Sequence, residues 1–144
     1  MREILFRGKD ANGKWVYGIY ARACKIIDQT GKLSDAKDLI CPMEGATNLW
    51  YVVDSVGQYT GLKDKNGIGI FEGDILESEE CDGTDYRDVV CFGRFNDDDN
   101  CGNEYIGFYV KSGNYTTSLL ELPLDKYCYV IGNIYDNPEL IPEE

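Results

Sequence analysis

Histidine is absent from this chain of 144 residues. Its absence excludes Ser-His-Asp and Cys-His catalytic arrangements, because both need an imidazole to accept the proton of the nucleophile. It also removes the commonest general base, metal ligand and pH-sensing side chain of proteins. The sequence thus has few of the side chains on which catalysis usually depends, and we expect a protein that is not an enzyme.

Long apolar runs are missing as well. No stretch approaches the roughly 20 residues that a membrane-spanning helix needs. The first ten residues, MREILFRGKD, are charged within the first three and contain no apolar segment of signal-peptide length. We therefore expect a cytoplasmic protein with no membrane partner.

Closely spaced cysteines are missing too, although the chain has six: Cys24, Cys41, Cys81, Cys91, Cys101 and Cys128. No two of them are closer than ten residues, whereas structural zinc sites normally use close pairs such as C-x-x-C. Disulfides are not expected in a reducing cytoplasm. Small buried residues and a few surface thiols are the expected roles, and we expect no metal or other cofactor.

Basic residues are scarce in the middle of the chain. The formal net charge is −12, from 14 Lys/Arg and 26 Asp/Glu. Residues 72–104 hold twelve acidic and two basic side chains, whereas residues 1–71 hold eight acidic and ten basic ones. Such a field repels nucleic-acid phosphates and attracts basic partners. The other interpretation is a solvated face that keeps the protein soluble.

Long helices are not expected, because sixteen glycines and four prolines interrupt the sequence. An interior glycine costs a helix about 1 kcal/mol and a proline about 3 kcal/mol. The intervening runs are rich in Val, Ile, Tyr, Phe and Trp, which favours strands and an all-β barrel or sandwich. The predicted strands are 3–7, 14–20, 21–27, 48–53, 69–72, 74–78, 88–95, 104–110, 115–120 and 127–134.

Two short segments have the pattern of helices. The segment SDAKDLI (34–40) begins with Ser34, a residue favoured at a helix N-cap, followed by an acid. The segment NPEL (137–140) places Asn137 at the cap and Pro138 at the first helical position.

A short motif occurs twice, as KDANGKWVY (9–17) and KDKNGIGIF (63–71). Its Asp-x-Asn-Gly core forms turns, because the Asp side chain accepts a hydrogen bond from the backbone two residues on and Asn-Gly tolerates positive φ. We predict a hairpin turn at both copies.

The second copy lies in a glycine-rich block, VGQYTGLKDKNGIGIFEGDIL (56–76), which invites sharper interpretations. Its glycine spacing does not fit a phosphate-binding loop. A calcium loop beginning at Asp64 fails because its twelfth position is Ile75. Glu72 and Asp74 share a face if they lie on one strand and then form a carboxylate pair, whereas Gly73 between them favours a bend.

Two further sets of side chains are candidates for binding. The acidic segment NDDDNCGNE (96–104), with Asp97, Asp98 and Asp99, is either a loose divalent-cation site or a solvated loop. A set of aromatic residues belongs either to the core and surface of a barrel or to a binding groove, since tyrosine is enriched at protein interfaces. These residues are Tyr17, Tyr20, Trp50, Tyr51 and Tyr59.

Three blocks carry a resemblance to a known family: REILFRGKD with GKWVYGIY, VGQYTGLKDKNGIGIFEGDIL, and VIGNIYDNPEL. In this order and length the chain resembles the YopX family of phage and prophage proteins. The resemblance implies an SH3-like β-barrel over residues 61–144, opened by FEGDIL (71–76) and closed by YVIGNIYDN, after a β-rich extension over residues 1–60. It assigns no catalytic residues.

The leading functional hypothesis is a non-enzymatic module that binds a host or phage protein. One alternative is an acidic mimic of nucleic acid whose carboxylates form a continuous strip. Another is a metal-dependent hydrolase that uses Glu72, Asp74 or Asp97–Asp99. Self-association between the basic-leaning first half and the acidic middle is a further expectation.

Overall fold

The computed structural model of the protein describes residues 3–23, 26–27, 29–43, 49–79, 83 and 85–142. Contacts along the chain divide it into two compact units, Met1–Tyr59 (unit one) and Thr60–Glu144 (unit two). The described residues form twelve strands, three short 3-10 helices and one short α-helix. The mainly β fold class that the composition predicts is therefore confirmed.

Unit one consists of strands joined in antiparallel pairs. Its elements are β1 (Phe6–Lys9), β2 (Trp15–Ala23), β3 (Ile26–Ile27), β4 (Leu33–Ser34), β5 (Lys37–Pro42) and the larger part of β6 (Tyr51–Lys63). Strand β2 pairs with β1 and β5, and β6 pairs with β5 and also with β1. The short strands β3 and β4 pair with each other.

One face of this pairing forms the core of unit one. Ile40 on β5 is fully buried and lies opposite both Tyr20 on β2 and Tyr51 on β6. Close approach of β5 to β2 requires Gly18, because a Cβ there would lie 2.7 Å from the carbonyl carbon of Cys41.

The predicted helix over residues 34–40 is wrong, because the chain forms β4 up to Ser34 and then β5. A segment of seven residues is too short to hold a helix by local propensity. As a strand it buries Ile40, and its Asp38 accepts hydrogen bonds from the Tyr20 hydroxyl at 2.7 Å and from Arg22 at 2.9 Å. Tertiary pairing therefore overrides the helical pattern.

Unit two consists of the last residues of β6, strand β7 beside them, the five strands of a second sheet, and their connections. The strands are β7 (Gly69–Phe71), β8 (Asp74–Glu79), β9 (Asp85–Asp97), β10 (Asn103–Ser112), β11 (Tyr115–Ser118) and β12 (Cys128–Asn133). The end of β6 is followed in its sheet by β7, and the other strands form an antiparallel sheet in the order β11-β10-β9-β8-β12. The 3-10 helices are Asp98–Asn100, Leu119–Glu121 and Pro138–Leu140, and α1 is Leu124–Tyr127.

Alternation along these strands builds the core of unit two. Leu76, Val90 and Val110 occupy neighbouring strands and are almost completely buried. The remaining buried members of this cluster are Ile70, Leu119, Leu124 and Cys128. Burying a residue of this size contributes roughly 1.5–3 kcal/mol, so the cluster is the main stabilising feature of the unit.

The predicted strands lie on observed ones, with different ends. The predicted strand over 48–53 ended too early, because β6 continues through Gly57 and Gly61 to Lys63. It also joined 21–27 into one strand, whereas β2 ends at Ala23 and β3 covers Ile26–Ile27; Cys24 and Lys25 lie outside the described residues.

Both copies of the Asp-x-Asn-Gly motif form the predicted turn, with the same hydrogen bonds. The Asp10 carboxylate accepts from the N–H groups of Asn12 and Lys14 at 2.9 and 3.0 Å. The Asp64 carboxylate accepts from the corresponding N–H groups of the second copy at 2.8 and 2.9 Å. The turn glycines, Gly13 and Gly67, have φ values of 76° and 77°, which glycine adopts without strain.

The second predicted helix is present as the 3-10 helix Pro138–Leu140, with Asn137 at its N-cap position. The side chain of Asn137 does not cap it. Its Oδ1 instead accepts a hydrogen bond from the N–H of Asn133 at 3.2 Å. A Cβ on Gly132 would lie 2.7 Å from the Asn137 Cγ, so this arrangement needs glycine there.

Candidate binding groove

The predicted acidic cluster forms a structured loop at the end of β9. Asp97 is buried, and its carboxylate accepts hydrogen bonds from the Thr117 hydroxyl at 3.0 Å, the Asp99 N–H at 3.0 Å and the Asn100 amide at 3.3 Å. Desolvation acts to raise the pKa of Asp97, but these hydrogen bonds outweigh it and the pKa lies below its ordinary value. Asp97 is therefore held as a structural carboxylate.

Asp98 and Asp99 also contact the neighbouring strand. The N–H of Thr116 donates to the Asp98 carboxylate at 2.8 Å, and the Thr117 hydroxyl, whose single hydrogen is shared between Asp97 and Asp99, lies 3.0 Å from the Asp99 carboxylate. A hydrogen bond to Asp99 raises the pKa of Tyr115 to about 12. Since β11 is the last strand of its sheet, the acidic loop covers an edge that would otherwise present bare N–H groups.

The second predicted pair, Glu72 and Asp74, lies in the tight turn between β7 and β8. Asp74 is buried and accepts a hydrogen bond from the N–H of Phe71 at 2.8 Å, so it closes the turn. Gly73 between them has a φ of 92°, and its N–H donates to the carbonyl of Val90 at 2.8 Å. The predicted bend is therefore present, and Asp74 serves it.

The structure does not bring these carboxylates together. Asp74 begins β8 beside Ile75, which lies opposite Val89, whereas Asp97 ends β9 eight residues beyond Val89. Eight strand residues span about 26 Å. Among the residues that the structure describes, no three Asp, Glu or Cys side chains form a group able to hold a metal ion.

The wider acidic region is also divided. Of the acids in 72–104, Asp74 and Asp97 are buried, and Glu77 and Glu104 each pair with an arginine across the sheet. The exposed Asp85 begins β9, so it lies about 40 Å along the strand from the Asp97 end. Burial therefore removes Asp74 and Asp97 from any exposed strip of carboxylates.

Unit one contains an open groove of about 620 Å³. Its apolar lining comes from the residue before β1, the start of β2, the end of β5 with the residue after it, and the start of β6: Leu5, Trp15, Val16, Tyr17, Pro42, Met43 and Tyr51. Tyr17 and Tyr51 are 46% and 41% exposed, so their ring faces are accessible to a ligand. The groove thus presents aromatic and aliphatic surface to solvent.

Charged groups border the groove. Glu3, Asp10 and Lys14 belong to its lining. The Arg7 guanidinium lies 4.6 Å from the centroid of the Trp15 ring, and the Lys9 ammonium lies 5.3 Å from it. Cation–π contacts of this kind hold an aromatic ring in place, so Trp15 forms a fixed wall.

The predicted aromatic groove residues divide into two groups. Tyr17 and Tyr51 line the groove, whereas Tyr59 is buried and donates its backbone N–H to the carbonyl of Leu5 at 2.7 Å. Tyr20 is engaged with Asp38, and the exposed Trp50 is not part of the lining. Sequence reasoning missed Trp15, for which the signal was its place directly after the first Asp-x-Asn-Gly turn.

Unit two has a smaller depression of about 330 Å³. Its lining combines polar and aromatic side chains: Arg94, Phe95, Asn96, Tyr109, Lys111, Asn114 and Thr116. Phe95 and Tyr109 stack there with ring centroids 4.8 Å apart. This shallow and mainly polar surface is a weaker candidate than the groove of unit one.

These features place the chain in the class of small mainly β proteins. Unit one has an aromatic groove, unit two has a five-stranded antiparallel sheet, and carboxylates close turns. The YopX protein family matches residues 5–142, so the chain belongs to the YopX family. The predicted family resemblance is thereby confirmed over nearly the whole chain.

A solved structure has a similar fold. The crystal structure of protein EF1440 from Enterococcus faecalis is similar to this chain with a TM-score of 0.51 and 22% sequence identity. The similarity covers 98% of this chain and 99% of that one. No curated protein matches this sequence. In the described part of the chain, no helix combines the length and apolar character that crossing a membrane requires.

Proposed function

We propose that the protein is a non-enzymatic module that binds another protein through the groove of unit one. The observation that carries this proposal is the open apolar lining around Tyr17 and Tyr51. Aromatic side chains supply large contact areas at low conformational cost and are enriched at protein interfaces. A short extended segment of a partner, with apolar side chains at its centre, is the ligand that fits this lining.

The openness of the groove favours a protein segment over a small molecule. Pockets for small ligands enclose most of the ligand surface, whereas the groove leaves Tyr17, Met43 and Tyr51 accessible from solvent. An open trough can accept a few side chains of a longer chain that continues beyond it. The charged groups at Asp10 and Lys14 would then lie at the polar rim of the interface.

The connectivity of unit two supports the more specific proposal of an SH3-like fold. Its five-stranded sheet has the order β11-β10-β9-β8-β12, in which the last strand pairs with the first. The 3-10 helix Leu119–Glu121 precedes the last strand. Small β-folds of this kind carry many unrelated functions, so the function is argued from the groove and not from the fold.

The alternative functions receive less support. The hydrolase hypothesis depends on Glu72, Asp74 or Asp97–Asp99. Asp74 and Asp97, however, are buried and accept hydrogen bonds from backbone N–H groups of turns. The nucleic-acid mimic depends on a continuous strip of exposed carboxylates, whereas Asp74 and Asp97 are buried. The proposed partner is therefore a protein of the host or of a phage, and the cytoplasmic location stays a prediction.

A selection from a random peptide library displayed on an unrelated carrier tests the proposal. We expect enriched peptides with central aliphatic or proline residues, and isothermal titration of one such peptide gives its dissociation constant. Tyr51→Ser and Tyr17→Ser should each weaken binding about tenfold, because each removes an aromatic contact worth about 1.4 kcal/mol. Tyr86→Ser, an equally exposed tyrosine in unit two, is the matched control. Equal weakening by the control, or no enrichment at all, would contradict the proposal.

A further inference from the structure

The β9–β10 hairpin of unit two is longer than the core that it covers. On its core-facing side, the cross-strand pair Val90–Val110 is almost completely buried. The next pair on the same face is Phe92–Phe108, and Ile106 follows on β10. Residues two apart on a strand share a face, so the apolar surface continues past the core.

This continuation is exposed to solvent. Ile106 is 74% exposed and Phe92 is 50% exposed. Phe108 packs against the core cluster and holds the Phe92 ring at 4.9 Å between centroids. Phe92, Ile106 and Phe108 therefore form one contiguous apolar face, which we name the hairpin face. Contiguous exposed apolar surface with polar borders is typical of interaction sites.

The outer border of the hairpin face is an ion pair. Arg94 lies opposite Ile106 and pairs with Glu104 at 2.8 Å. Both side chains are mostly exposed, so the pair contributes little to stability and its partners can exchange. Glu104 is thus available to accept a cation from another molecule.

The charge of unit two indicates the chemistry of the occupant. Residues 60–144 hold 19 Asp/Glu and six Lys/Arg, a net charge of −13. Such a field attracts cations and repels nucleic acids. A second copy of the chain, with its net charge of −12, is also repelled.

We propose that the hairpin face docks a basic segment of another protein, in which apolar side chains alternate with lysine or arginine. The apolar side chains cover Phe92 and Ile106, and a cation of the segment pairs with Glu104. This inference does not depend on the groove of unit one, since its residues and its ligand chemistry differ.

A synthetic peptide of four Leu-Lys repeats is the probe, with four Ser-Lys repeats as a control of equal charge. We expect the Leu-Lys peptide to bind at 50 mM salt and to shift the amide resonances of Phe92, Ile106 and Phe108. Ile106→Ser should weaken binding about tenfold, because it removes most of the apolar surface that Ile106 offers to the leucine side chains. Ile106→Lys should weaken it further by repelling the peptide. Ile68→Ser removes another half-exposed isoleucine of unit two and should change nothing.

Three outcomes would overturn the proposal. The first is a Leu-Lys peptide that does not bind, or whose shifts fall elsewhere in unit two. The second is a Ser-Lys peptide that binds as tightly as the Leu-Lys peptide, which would leave only charge. The third is an Ile106→Ser variant that behaves like Ile68→Ser, with amide spectra showing that both variants are folded.

Discussion

The carboxylate of Asp64 accepts a hydrogen bond from the backbone N–H of Val130, 66 residues further along the chain, at 2.9 Å. The same carboxylate organises the hairpin turn between β6 and β7 through two local N–H groups. The N–H of Lys65 in this turn donates to the carbonyl of Cys128 at 3.0 Å. One buried side chain therefore joins a local turn to the outer edge of β12.

Substitution of Asp64 should cost far more than the same change in the equivalent turn of unit one. Asp64→Ala removes three accepted hydrogen bonds and leaves the N–H of Val130 without its acceptor. We expect unit two to lose about 2–4 kcal/mol of unfolding free energy, because a buried donor left unsatisfied costs about 1–3 kcal/mol. The amide of Val130 should also exchange faster with deuterium.

Asp10→Ala is the matched control for this prediction. Within the described part of the chain, the Asp10 carboxylate accepts the two local hydrogen bonds alone, and both are exposed. We expect a loss of about 1 kcal/mol or less in denaturant titrations, since a net hydrogen bond contributes about 0.5–1.5 kcal/mol. Equal losses for both variants would show that the long-range contact of Asp64 contributes nothing.

The two turns show how far sequence reasoning reaches. The shared Asp-x-Asn-Gly motif predicts both turns, because their hydrogen bonds are local to five residues. It does not reveal that only Asp64 reaches a distant strand, since this depends on the pairing of β12 with β8. The same limit explains the wrong helix at 34–40, where pairing of Ile40 and Asp38 with β2 decides the structure.

The candidate sites were predicted unevenly for the same reason. The sequence indicates carboxylates as candidate site residues. In the structure, Asp74 closes a turn and Asp97 holds the loop that covers the edge of β11. Tyr17 and Tyr51 were correctly grouped, although they lie on strands 34 residues apart in sequence. The wall residue Trp15 was missed because its place after the first Asp-x-Asn-Gly turn does not show which face of the strand its ring occupies.

The hydrogen bonds of Asp97 predict a characteristic acid dependence. Its pKa is lower in the folded protein than the ordinary value of 3.8, so its contribution to stability is complete above that value and is lost as the pH falls further. The loss of stability caused by Asp97→Asn should thus be constant from neutral pH down to about pH 5 and shrink below pH 3.8. Urea midpoints of both proteins measured across this range check it. A difference that grows on acidification would contradict the structural role of the carboxylate.

The cysteines should differ sharply in reactivity. Burial raises the pKa of the Cys128 thiol to about 11, with the charges of Asp88 and Asp64 adding to the effect. At pH 8 only about one Cys128 thiol in a thousand is then ionised, and the thiolate is the reactive form. Cys101 is exposed. We expect iodoacetamide to modify Cys101 in the native protein and Cys128 only in denaturant, as measured by peptide mass spectrometry. Rapid native modification of Cys128 would show that the core of unit two opens.

The last prediction concerns Asp88, which faces the core side of the sheet opposite Leu76. Burial raises the pKa of its carboxyl, so the protonated form suits the folded state and the charged form opposes it. The carboxyl of Asp88 therefore lowers the stability of the folded protein as the pH rises above the ordinary pKa of 3.8. This loss of stability is complete above the raised pKa of the folded state.

Asp88→Asn keeps the shape of this side chain and removes its charge. We expect the variant to raise the thermal midpoint at pH 7 by on the order of 1–3 °C, and to gain nothing below pH 4, where Asp88 is already protonated. Glu77→Gln is the control, because Glu77 is partly exposed and paired with Arg87 at 3.0 Å, so its substitution should lower the midpoint slightly or leave it unchanged. A fall in the midpoint of Asp88→Asn at pH 7 would mean that the charged carboxylate has a stabilising partner in the folded protein.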